Sequence, residues 1–299
     1  MGGISLFVSI LLVLLLLLVF ANRYGSWRWG LYINSLWNTG GPIAPDPAEF
    51  RYANLEGLPG PVRRYLALVL EEGQQLVSRV QMRHSGRIKL GSGKWAWFRS
   101  KQQVSPLSRE FIWDARVRFL PFLDVRVCDA FIRGRGVLSA RLLGWFSVAR
   151  EPGSPELDQG ELLRFFAEAA WYPTAWLPSQ GVVWQEMDAF NARATLKEND
   201  MELSLQVTFG PDNLIHRVYA EKRFRRAGDR QVATPWEGSL WDYELHEGML
   251  VPAYAEVSWI IDGKREPYWR GNLEKITYQM AGERSDQKPA SRQISSGVS

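Results

Sequence analysis

The chain has 299 residues, enough for one large or two small domains, and its 46% hydrophobic share is ordinary for a globular protein. A single cysteine, Cys128, excludes an internal disulfide and a thiolate metal cluster, while a net charge of +4 is only mildly basic. The 14 Trp are out of the ordinary and imply large apolar contacts, or surfaces apolar on one side and wet on the other.

Ile4–Ala21 is an 18-residue run without a charge. As a helix it spans roughly 27 Å, close to the hydrocarbon thickness of a bilayer. No side-chain charge precedes it and Val19-Phe20-Ala21 is a poor cleavage site, so residues 1–24 are expected to be an uncleaved single-pass anchor and not a signal peptide. Arg23 and Arg28 follow the span, and the positive-inside rule then votes for a cytoplasmic main domain, although long domains cross largely regardless of charge. Residues 25–54 read as a juxtamembrane and linker segment. Tyr24 to Tyr32 resemble an interfacial aromatic belt, and Asn38–Pro47 form a Gly/Pro linker.

Residues 55–281 are expected to form one β-rich domain. A short helix is predicted over Pro61–Leu70, with Val62, Tyr65, Leu66 and Val69 on one face. From about Leu76 the text changes to strands. Phe111, Trp113, Ala115, Val117 and Phe119 alternate with Asp114, Arg116 and Arg118, the pattern of a strand with one face buried. Lys94–Val104, Val125–Arg133 and Val137–Val148 read similarly. Strands resume at Val182–Met187, Ala192–Lys197, Met201–Phe209, Leu214–Arg223, Ser239–His246, Val251–Ile261 and Trp269–Met280. The fold class is therefore mainly β (α+β): a curled antiparallel half-barrel of roughly eleven strands, with a central helix covering its concave face and an N-terminal transmembrane helix. Residues 282–299 read as a disordered tail.

The central helix lies within Pro155–Pro178. Ser154 before Pro155, and Asp158 with Glu161, both offer caps. Leu162, Phe165, Phe166 and Ala169 form its apolar stripe and should point into the sheet. Glu161, Arg164 and Glu168 form an acid–base–acid ladder expected at the edge or in water, and Trp171, Trp176 and Trp184 cluster at the exit. Three readings stand: a plug, a roof over a cavity for an apolar molecule with Arg164 at its mouth, and a catalytic role for Glu161 or Glu168.

His84, His216 and His246 have no paired spacing and are expected at the surface or at strand edges, so no metal and no cofactor is expected. Cys128 is expected to be a buried, inert thiol. Asp129 falls among Val125, Val127 and Phe131, so it should be buried and should need Arg116, Arg126 or Arg133 as its partner. Asp114 comes from a neighbouring strand, and convergence of Asp114 with Asp129, or of Glu161 with either of them, would serve a carboxylate-dependent hydrolase or transferase. Glu221–Arg226 with Arg230 is the densest basic run and reads as a solvated hairpin tip, with anionic lipid heads as the next candidate. No module for nucleic acid surrounds it.

Leu58-Pro59-Gly60-Pro61-Val62-Arg63-Arg64-Tyr65-Leu66, Trp113-Asp114-Ala115-Arg116, Gly134-Arg135-Gly136, Gly160-Glu161-Leu162-Leu163-Arg164, Trp171-Tyr172-Pro173-Thr174-Ala175 and Thr234-Pro235-Trp236-Glu237-Gly238 together resemble an uncharacterised bacterial family of membrane-anchored proteins, over roughly residues 55 to 280. More loosely the architecture resembles the periplasmic lipoprotein-carrier (LolA-like) fold. These resemblances imply a bacterial inner-membrane protein with an extracytoplasmic domain, and they bring no catalytic residues. The expected function is binding of a lipid or other amphiphile, with Trp113, Asp129, Leu162, Arg164, Phe165, Phe166, Trp171, Trp176 and Trp184 lining the cavity. A partner-binding module of an envelope complex is a further alternative.

Overall fold

The computed structural model describes residues 2–37, 49–90, 93–120, 123–151 and 153–282; the expected linker at 38–47, and the expected tail from 283 onward, lie outside the described residues. Helix α1 is Gly2–Trp37 and helix α2 is Gly60–Val69. Strands β1 (Val77–Lys89), β2 (Trp95–Ser105), β3 (Glu110–Leu120), β4 (Leu123–Ile132), β5 (Arg135–Leu142) and β6 (Phe146–Glu151) precede helix α3 (Pro155–Ala167). Then come β7 (Val182–Glu186), β8 (Asn191–Glu198), β9 (Met201–Phe209), β10 (Ile215–Ala227), β11 (Arg230–His246), β12 (Met249–Ile261) and β13 (Lys264–Met280).

Among the described residues the strands number thirteen, not eleven, and form one antiparallel half-barrel. Two details account for the difference. β1 has its own place beside β2 and β13, and the expected Val137–Val148 strand breaks at Leu143-Gly144 into β5 and β6. Both residues there have positive φ, which ends a strand and starts a turn. The sheet order runs β6-β5-β4-β3-β2-β1-β13-β12-β11-β10-β9-β8-β7, so first and last strands pair at the centre and the two edges are β6 and β7. The chain between those edges is α3, followed by 3-10 turns at Glu168–Trp171, Pro173–Trp176 and Pro178–Gln180. Helix α3 lies against β4 and β5 on one side and β9 and β10 on the other.

Strict alternation puts Leu203, Leu205, Val207 and Phe209 of β9 into the core, and Phe111, Trp113, Ala115 and Val117 of β3 likewise. The predicted face of α2 is buried, with Tyr65 packed against Trp176 and Phe209.

α1 continues well past the predicted end of the span. Trp29, Tyr32, Ile33 and Leu36 recur at helical spacing and pack on Ile112, Cys128, Ala130, Ile132 and Val137, the outward side chains of β3 to β5. Trp29 is only 1% exposed, so it is not an interfacial residue; its indole N–H donates to Asp114 at 2.7 Å. Arg126 donates to the Ser26 hydroxyl at 2.6 Å. Gly25 sits against Leu143 and Gly144 so closely that a Cβ would overlap the Leu143 carbonyl. Leu6–Trp37 is long and apolar enough to cross a membrane, a test that a signal sequence near the N-terminus also passes.

Candidate functional site

Helix α3 starts where its sequence stops being strand. Pro155 supplies a fixed φ in the first turn, and the Ser154 hydroxyl accepts the Leu157 N–H at 3.2 Å. Asp158 is not the cap. Its carboxylate accepts the Gly136 N–H at 2.6 Å and Arg135 at 3.0 Å, tying the helix to β5. Gly136 permits this approach, because a Cβ would stand 2.7 Å from the Leu157 carbonyl oxygen.

The two faces of α3 then differ in kind. Leu162, Phe165 and Phe166 pack into solid core, where Phe165 meets Tyr172 and Phe166 meets Trp176. The charged face turns inward as well, with Glu161 buried and Arg164 and Glu168 largely so. It borders a cavity of about 750 Å³, lined by α3, by β1, β3 to β6 and by β10 to β13. The expected position of Glu161, Arg164 and Glu168, at the edge or in water, is thus corrected. Helix α3 touches β4 and β5 as well as β9 and β10, and its charged side chains meet these strands.

Arg164 donates to Asp129 and to Glu168, each at 2.8 Å, and lies 5.0 Å over the Trp113 ring and 5.1 Å over Phe111. Gln102 completes the Glu168 carboxylate at 2.5 Å. Asp129 therefore pairs across the cavity with a helix arginine, not with Arg116, Arg126 or Arg133 of its own sheet. Arg116 and Arg126 belong to the other face by strand alternation. Arg126 faces α1 and Arg116 pairs with Asp124. Asp114 is opposite Cys128 in the ladder and Asp129 is opposite Trp113, so Asp114 and Asp129 point to opposite faces and do not converge.

Arg223 is a site residue that sequence reasoning placed in a solvated hairpin. Val218 and Ala220 of β10 face inward. A bulge between Ala220 and Arg223 shifts the register by one residue, so Arg223 and not Lys222 follows them into the cavity. Its guanidinium stands 3.7 Å from Glu161, donates to the Tyr268 hydroxyl at 3.1 Å, and lies over Trp236 and Trp259. Nothing in the residue pattern announces this bulge or the register shift at Tyr268, which lets the consecutive Tyr268 and Trp269 both line the cavity beside Trp236 and Trp259.

The electrostatics follow from burial. Desolvation, with the Asp129 charge adding to it, pushes the Glu161 carboxyl up to about 8. Burial also raises Asp129, against the opposing pull of Arg164 and Arg223. For Arg164 burial favours the neutral form, but Glu168, Asp129 and Glu161 outweigh it and hold the guanidinium charged. His84 is buried between Trp171 and Trp269, not at a surface or strand edge; desolvation, then Arg164, lowers it to about 3. Arg164 thus sits between Asp129 and Glu168, whereas Arg223 faces Glu161, whose protonated form burial favours. Asp129 Oδ1, Glu161 Oε2 and Arg223 Nε are buried without a hydrogen-bond partner in the protein.

Of the residues expected to line a cavity, Trp113, Asp129, Arg164 and Trp171 do so. Leu162, Phe165, Phe166 and Trp176 belong to the closed core on the other side of α3, and Trp184 on β7 donates to the Trp176 carbonyl at 3.0 Å. Cys128 is buried under α1, its thiol raised by burial and then by Asp129. Among the described residues no three His, Cys, Asp or Glu side chains are grouped to hold a metal ion.

A search of curated proteins finds no match to the chain. A crystal structure of a LolA superfamily protein from Nitrosomonas europaea is similar at 6% identity and a TM-score of 0.39, over 73% of this chain and 92% of that one. The sequence matches a family model over residues 56–278, almost the stretch that carries the quoted motifs: the chain belongs to DUF6920, a family of unknown function.

Proposed function

We propose that this protein is a single-pass membrane protein that binds an amphiphile with an anionic head, α3 serving as the roof of the binding cavity. The carrying observation is the cavity itself. Its volume of about 750 Å³ lies within the ~300–1,000 Å³ range of ligand pockets. Leu138, Val218, Leu240, Val257 and a set of Trp rings offer an apolar chain its burial, at about 0.8 kcal/mol per methylene. Arg223, opposite a protonated Glu161, is the cation placed to receive the head. Arg164 is already closed between Asp129 and Glu168, which makes it a structural tie and not the head-group residue.

α1 is the proposed anchor, residues 55–281 the binding domain, and the bacterial inner membrane the proposed site, with the domain on the extracytoplasmic side. A C-terminal alkaline phosphatase fusion reads that side, and activity is the expected result.

Native mass spectrometry of the full-length chain, released from detergent, tests the binding. A bound amphiphile is expected on the wild type. Gly160→Phe should abolish it, because Gly160 faces the cavity and its Cβ would meet only Arg223 Nε at 3.9 Å. Arg223→Gln should weaken an anionic ligand about tenfold or more, as loss of a charged hydrogen bond does, and should spare a neutral one. A wild-type chain that carries no amphiphile from its membrane, and takes up none when offered, overturns the proposal.

A further inference from the structure

The exposed part of the cavity lining marks its mouth. Gly93, Arg226, Gln231 and Glu266 are exposed, whereas Trp113, Trp171, Leu240 and Ala255 are buried. The exposed four come from the β1–β2, β10–β11 and β12–β13 turns or the strand ends beside them. The Gln231 amide donates to Glu151, the last residue of β6, so edge strand β6 borders the mouth.

α1 arrives at the start of that same strand. Its docked half runs from Trp37, beneath the Arg79 guanidinium, past Trp29 at Asp114, to Gly25 at the β5–β6 turn. Tyr24 packs edge-on against Trp145 in this turn, ring centroids 5.7 Å apart, and the apolar stretch before it is exposed. From Phe146 to Glu151 a strand covers about 17 Å. Glu151 at the mouth therefore lies within about 20 Å of Trp145, against which the apolar helix leaves the domain.

The hairpin between those points has an unusual surface. Trp145 is exposed, and Phe146 and Val148 are 56% and 57% exposed on an edge strand, where apolar side chains are ordinarily avoided. Exposed Arg150 follows them on the same strand, and exposed Arg226, Asp229 and Arg230 belong to the β10–β11 hairpin that reaches Glu151 through Gln231. Aromatic rings with basic neighbours beside a membrane span suit the headgroup layer of a bilayer.

We propose that the β5–β6 hairpin rests in the leaflet that α1 enters, and that the cavity loads its amphiphile directly from that leaflet. The proposal rests on reading α1 as an anchor and the cavity as an amphiphile site. The docking of α1 leaves no slack: Gly25, Ser26 and Trp29 all touch the sheet, so the hairpin is held where the helix meets the membrane. An acyl chain passing from leaflet to cavity then need not cross water, where its exposure is unfavourable in proportion to its length.

The lone native cysteine is buried, so an introduced one labels selectively. Full-length Phe146→Cys, Val148→Cys, Arg226→Cys and Leu245→Cys chains, each carrying an NBD label, are reconstituted into phosphatidylcholine–phosphatidylglycerol vesicles with plain or brominated acyl chains. Leu245 is the control, 66% exposed near the β11–β12 turn. Brominated lipid should at least halve the emission at 146, 148 and 226, and leave 245 unchanged. Equal quenching at all four positions overturns the proposal, as does none at 146 and 148, or none at 226. Shielding of 146 and 148 from aqueous iodide without quenching by bromine would indicate a protein partner, and also overturns it. The labels read orientation whether or not the cavity is occupied, so this failure is distinct from a failure of amphiphile binding, which is read by bound mass.

Discussion

Glu161 and Arg164 sit three residues apart on one helix face and have opposite fates. Arg164 gains two carboxylates and two aromatic rings, so its charge is well compensated. Arg164→Leu leaves Asp129 and Glu168 buried without their cation. It should cost on the order of 3–5 kcal/mol in chemical unfolding of the solubilised chain. Glu161 has a single cation at 3.7 Å and a like charge nearby, and burial prevails. Its carboxyl titrates near 4.5 when unfolded and near 8 when folded, so between those values the folded chain holds a proton that the unfolded chain has released. The stability this contributes is full below about pH 4.5, falls as pH rises, and is gone above about 8. Unfolding measured from pH 5 to 9 should therefore show stability declining with pH, and Glu161→Gln should flatten the decline.

At the scale of the element, α3 is a helix with a glycine in its interior. Gly160 costs about 1 kcal/mol relative to Ala in a helix interior, and a Cβ there meets ordinary contact distance to Arg223. Gly160→Ala should raise stability by up to about 1 kcal/mol in the same unfolding assay. A helix that gives up this stability keeps its cavity face flat beside Glu161 and Arg164. The β10 bulge acts at the same scale. One additional residue on one strand turns a surface arginine into a cavity arginine.

For the whole molecule, α1 runs from its exposed apolar stretch onto the sheet as one unbroken helix. Gly25→Val should break this joint, since a side chain there overlaps the Leu143 carbonyl. Cys128 lies beneath the docked helix and reports on it. Maleimide labelling of Cys128, slow in the wild type, should accelerate severalfold in Gly25→Val and in Trp29→Ala; unchanged labelling would show the helix still seated.

Local periodicity was enough to determine much of this chain. The apolar run, the face of α2, the alternation of β3 and β9, the Ser154-Pro155 start of α3 and its Leu162–Phe165–Phe166 stripe are all written within a few residues, because helix and strand periods come from the backbone itself. The stripe of Trp29, Tyr32, Ile33 and Leu36 was equally legible, and was obscured by reading its aromatics as a membrane belt. Tertiary structure alone decided what each face meets. Asp114 and Asp129 parted because neighbouring strands pair Trp113 with Asp129; Arg223 entered the cavity through a bulge; and Glu161 was buried because β10 closes over a helix whose sequence presents it as polar surface. Register and burial are set between residues tens of positions apart, and no window along the sequence holds both partners.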